Sequence, residues 1–67
     1  MSLADERIDA SLTVAALSRE ARVDRKTVER AEAGEAISLV KATAIAKALS
    51  RVTGKQFTVE SLAIRTS

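Results

Sequence analysis

Between Arg19 and Arg30 the chain sets Arg19, Arg22, Arg25, Lys26 and Arg30 against Glu20, Asp24 and Glu29. A guanidinium can hold guanine O6 and N7 through two parallel hydrogen bonds, or grip a phosphate in the same bidentate way. A carboxylate can accept from cytosine N4, and a threonine methyl can meet the methyl of thymine. On a helix beginning after Asp24, Arg25, Lys26, Glu29 and Arg30 share the outward face, while Val28 and Ala31 point inward. Arg25 and Arg30 there suit guanine, and Lys26 suits guanine or a phosphate. Thr27 suits a thymine methyl or a phosphate, and Glu29 suits cytosine or the orientation of its arginine neighbours. Arg19 and Arg22 are backbone-phosphate candidates. The plainer reading is a solvated, charged helix surface, and charge alone does not separate the two.

Other chemistries are poorly supplied. The chain has no cysteine, hence no disulfide framework and no thiolate metal site, and no histidine, hence no imidazole base or zinc ligand. No nucleophile–base constellation is visible, so an enzyme is not expected, and neither is a metal or cofactor. No apolar run approaches the length of a membrane span, and the start of the chain lacks a basic-then-apolar leader pattern, so a soluble cytoplasmic protein is expected. The net charge is only +2, although the isoelectric point is about 9.5. Global charge therefore says little about an anionic partner, and the local distribution carries the argument.

Sixty-seven residues make one domain, taken here as 1–67. Thirteen of the thirty-one apolar residues are alanine, so bulky core anchors are few. A domain of this size buries only about 60% of its unfolded surface, and association or ligand binding would add to its stability.

The elements that must position these side chains follow from helical spacing. A first helix is expected over Leu3–Ala10, capped by Ser2 and burying Leu3 or Ala4 and Ile8. A second runs from after Thr13 to about Ala21. The third runs from after Asp24 to about Ala33, with Gly34 beyond its end. A fourth starts after Ser38 and carries Leu39, Ala42, Ile45, Ala46, Leu49 and Val52 on one stripe, ending before Gly54. A short fifth helix after Thr58 would bury Val59 and Leu62. The expected fold is all-α with five helices.

One local pattern repeats at three helix starts. Leu12-Thr13 precedes Leu17, Val23-Asp24 precedes Val28, and Phe57-Thr58 precedes Leu62. Each is an apolar residue, a capping residue and an apolar residue one turn later, the pattern of a hydrophobic staple. Only Arg22 and Val23 lie between Ala21 and the cap at Asp24. So short a link imposes a fixed crossing of the second and third helices.

The stretch from Leu12 to Gly34, with Leu12-Thr13, Leu17, Val23-Asp24, Thr27-Val28 and Glu32-Ala33-Gly34 in order, resembles the phage-repressor (Cro/cI, XRE-type) helix-turn-helix family. Ile45-Ala46-Lys47-Ala48-Leu49 matches the family's following core helix, and the likeness spans about Leu3 to Leu62. The resemblance implies a lambda-repressor-like domain and sequence-specific binding of double-stranded DNA by a small transcriptional regulator, most often a repressor. Its recognition helix would cover about residues 25–33. It implies that Thr13 caps the second helix and turns its amides towards a phosphate. It also implies an ion pair between Arg7 and Glu32, and a homodimer on a pseudo-palindromic operator. The Glu35–Leu39 loop with the fifth helix is the candidate dimer surface, with Ile37 and Ile64 exposed.

Three positions depart from the family pattern. Arg22 stands where glycine commonly takes positive φ, Val14 where glutamine commonly meets a phosphate, and Glu35 in a loop that is often basic. The alternative reading is a protein-interaction module on the same fold, such as an antitoxin or a bridging factor. The chain could also be the DNA-binding part of a longer regulator.

Overall fold

A computed structural model describes residues 2–67. Among these residues there are four helices, α1 (Leu3–Asp9), α2 (Val14–Ala21), α3 (Arg25–Glu32) and α4 (Leu39–Thr53). Local chemistry accounts for their starts. Ser2, Thr13 and Ser38 each sit in extended backbone and accept a hydrogen bond from the N–H three residues on, at 3.2, 3.0 and 3.3 Å. Asp24 occupies the same position before α3, but its side chain makes no capping bond.

The ends share a device that is only partly visible in the residue types. Ser11, Arg22, Gly34 and Ala63 all take left-handed backbone, with φ of 59, 59, 84 and 55°. In each case the next N–H reaches back five residues: Leu12 to Arg7, Val23 to Ser18, Glu35 to Arg30 and Ile64 to Val59, at 2.9–3.1 Å. Three of the four are not glycine, and each such residue costs about 1–2 kcal/mol relative to glycine. Gly54 closes α4 with φ 74°.

The fifth helix is not there. Thr58 does start a turn, and it exchanges bonds with Ser61: Thr58 N–H donates to Ser61 Oγ at 2.9 Å and Ser61 N–H to Thr58 Oγ1 at 3.0 Å. Leu62 N–H reaches the Thr58 carbonyl, but Ala63 then flips to positive φ and ends the segment after one turn. That flip sends Ile64 into the core. It also lets Ile37 N–H donate to the Arg65 carbonyl and Ser67 N–H to the Ile37 carbonyl, both at 3.0 Å, an isolated parallel bridge. Packing of Ile64 and this bridge outweigh continued helix.

The core holds Leu3, Leu17, Val28, Ile45, Leu49 and Leu62, all essentially inaccessible, with the alanines of α4 filling between helices. α4 packs chiefly against α2. Phe57 is held against this core because Ser50 Oγ accepts from its N–H at 2.9 Å while donating to the Ala46 carbonyl at 2.8 Å.

Three burial expectations are corrected. Ile8 is exposed, and α1 instead turns Leu3, Glu6, Arg7 and Ala10 inward, at the i, i+3, i+4, i+7 spacing of one face. Leu39 and Val52, placed on the buried stripe of α4, are exposed. Ile37 and Ile64, read as exposed dimer contacts, are both buried by the C-terminal bridge. No helix among the described residues is long and apolar enough to cross a membrane.

Candidate nucleic-acid interface

α3 is short, and its burial pattern divides it cleanly. Thr27, Val28 and Ala31 face the core, while Arg25, Lys26, Glu29 and Arg30 are exposed on the opposite side. Two constraints fix how that face is presented. The first is the turn before it: Arg22 in left-handed backbone and Val23, which packs partly buried against the core, carry the chain from α2 into α3 in three residues. The second is Arg7. Its Nε and Nη2 donate to the two carboxylate oxygens of Glu32, the latter at 3.1 Å, and its Nη1 donates to the Leu12 carbonyl at 2.9 Å.

This fork ties the last turn of α3 to α1 and to the residue before Thr13. The side chains of Arg7 and Glu32 are 15% and 14% exposed, so the pair is largely screened from water. The hydrogen bond to Glu32 holds the guanidinium charged beyond even its ordinary strongly basic range, against the opposing effect of burial.

Thr27 does not belong to the exposed set. It is 8% exposed and lies at the floor of an open groove bordered by Arg30, Ile37, Ser38 and Lys41. The reason is angular: residue 27 sits 200° around the helix from residue 25, on the core side. Its side chain is reached through that groove and not from the outward face that carries Arg25, Lys26, Glu29 and Arg30.

Lys41, in the first turn of α4, borders the same groove as Arg30, so the two cations stand on one side of the molecule. Their sequence separation hid this. Glu29 and Glu35 border a neighbouring groove with Lys26 and Arg30, so the cationic face is interrupted by carboxylates.

Thr13 is exposed with its Oγ1 occupied by the Ala16 N–H. Arg19 and Arg22 are exposed too, but they border a different groove, with Lys47 and Arg51 of α4. Eight of the exposed cations thus fall into two sets. Arg25, Lys26, Arg30 and Lys41 lie along α3 and the start of α4. Arg19, Arg22, Lys47 and Arg51 lie where the end of α2 meets α4.

The chain matches no family model, no curated protein and no solved structure.

Proposed function

We propose that the protein binds double-stranded DNA in a sequence-specific manner, with α3 in the major groove, as a small transcriptional regulator of the phage-repressor type acting in the cytoplasm. The observation that carries this reading is the exposed face of Arg25, Lys26, Glu29 and Arg30 on a helix braced at its last turn by the Arg7–Glu32 fork. A major groove about 12 Å wide admits one α-helix, and the first turns of such a helix reach the base edges. Arg25 and Arg30 supply the bidentate guanine contacts, Lys26 and Lys41 the phosphate contacts, and Glu29 either accepts from cytosine or aligns an arginine.

The face is narrow and carries Glu29 and Glu35 among its cations, so one copy binds modestly. Two copies on a pseudo-palindrome, with half-sites about one helical turn apart, supply the remaining affinity. Binding-site selection from randomised duplexes, followed by a salt series, tests the proposal. A sharp motif, with affinity falling steeply as salt rises, is expected. Recovery of unenriched sequence at low salt refutes it.

A further inference from the structure

α4 turns Ala42, Ile45, Ala46, Ala48 and Leu49 into the core, which leaves Val40, Lys47 and Arg51 on its outward side. That outward side is not uniformly polar. Its first two turns carry Leu39 and Val40, 60% and 80% exposed, beside the half-buried Thr43 and Ala44. The next two turns carry Lys47 and Arg51, joined by Arg19 and Arg22 from the end of α2. Ala44 and Lys47 border both regions, so the apolar patch runs directly into the cationic one.

The one carboxylate there is Glu20. It is half-exposed and meets Arg51 at 3.3 Å, and Arg51 also donates to the Glu20 carbonyl at 2.8 Å. An ion pair this exposed is weak and readily exchanged for another carboxylate.

We propose that this face of α4, with the end of α2, docks a short acidic amphipathic segment of another protein, laid along α4 with its apolar side chains on Leu39 and Val40 and its carboxylates on Lys47, Arg51, Arg19 and Arg22. Charge complementarity selects this occupant. A duplex backbone would satisfy the cations but offers nothing apolar to Leu39 and Val40. A second copy packed parallel to α4 would bring like cations together, and one packed antiparallel would carry Lys47 and Arg51 away from the shared apolar patch. Moreover, Leu39, Val40 and Ala44 with the Thr43 methyl cover far less than the roughly 800 Å² per partner of a stable interface. A short peptide helix instead docks through a few anchors at i, i+3 and i+4. The surface shares no lining residue with the grooves beside α3, so it stands whether or not the DNA reading holds.

The test uses the intact 15N-labelled protein and a synthetic helical peptide with leucines at i, i+3 and i+4 flanked by glutamates. Shifts of the amide signals are expected at Leu39, Val40, Ala44, Lys47 and Arg51, with the Arg25–Arg30 signals unmoved. The same peptide with lysines for glutamates, or alanines for leucines, should bind at least tenfold more weakly. Val40→Glu and Lys47→Glu, both at exposed positions that leave the core intact, should each weaken binding at least tenfold. Three results would overturn the proposal: no localised shift at millimolar peptide, equal binding by the alanine peptide, or displacement of the peptide by non-specific duplex DNA that shifts these same signals.

Discussion

Arg7 and Glu32, 25 residues apart in the chain, share two hydrogen bonds that join the first helix to the end of the third. Arg7 also reaches the Leu12 carbonyl, so one guanidinium ties together the first helix, the residue before Thr13 and the end of the third helix. Stability and the presentation of the α3 face both depend on it.

Removing one partner leaves the other charge poorly compensated. Glu32→Ala should destabilise the protein by about 3 kcal/mol, the lower end for a buried pair because each side chain retains some exposure. For a domain with roughly 0.05–0.15 kcal/mol of stability per residue, that is a large fraction of the whole. Urea unfolding measures it, and a loss below about 1 kcal/mol would mean the pair behaves as an exposed one.

The pH dependence of this contribution has a definite sign. The folded Arg7 is raised in pKa by its bond to Glu32, so its stabilisation is complete below the unfolded value and is lost only as pH climbs through the folded one. Both values lie in the strongly alkaline range. The difference in unfolding free energy between the native protein and Arg7→Met should therefore be the same at pH 7 and pH 10. A difference that shrinks over that interval would contradict the assignment.

Arg22 holds left-handed backbone at φ 59°. Glycine there would relieve about 1–2 kcal/mol, less about 0.5–1 kcal/mol for its greater freedom when unfolded. Arg22→Gly should raise the melting temperature by a few degrees. A fall in calorimetry would show that the Arg22 side chain contributes more to the fold than its backbone costs.

On a selected duplex, Arg25→Ala and Arg30→Ala should each weaken binding by about 1–3 kcal/mol and broaden base preference at one position. Thr27→Val should leave the preference unchanged, because Thr27 is buried. Selection repeated with each variant checks this, and equal losses on random duplexes would argue against direct reading by the arginines.

Ser50 accepts from the Phe57 N–H at 2.9 Å and so fastens the segment after α4. Ser50→Ala should cost about 1–2 kcal/mol by leaving that N–H without its acceptor. Faster hydrogen exchange at Phe57 than at Leu49 is the matching local signature. Unchanged exchange at Phe57 would show that water replaces the hydroxyl without loss.

The parts legible in the sequence were those set by short-range chemistry. Ser2, Thr13 and Ser38 cap helices through bonds spanning three residues, and the pairs Leu12–Leu17 and Val23–Val28 bracket the starts of α2 and α3. What stayed hidden depends on contacts across the fold. Ser11 and Ala63 take left-handed backbone without being glycine, and Ala63 does so because Ile64 and the Ile37 bridge draw the chain inward. The same bridge buried Ile37 and Ile64 and replaced a fifth helix with a single turn. In α1, apolar Ile8 faces out while Glu6 and Arg7 face in, the reverse of what side-chain type suggests, because Arg7 must reach Glu32. At the site, Val28 and Ala31 marked the inner face of α3, but Thr27 needed the angle of the helix itself, and Lys41 needed the fold to bring it beside Arg30.

The parallel bridge between Ile37 and Thr66 also has a mechanical consequence. Its two hydrogen bonds fasten the last residues to the loop that leaves α3. A pull applied at residue 67 would load those bonds first and then drag on residues 34–38, beside Arg30 and Lys41. Because Ile37 is itself buried, tension on that end of the chain divides between the core and the residues that border Arg30 and Lys41.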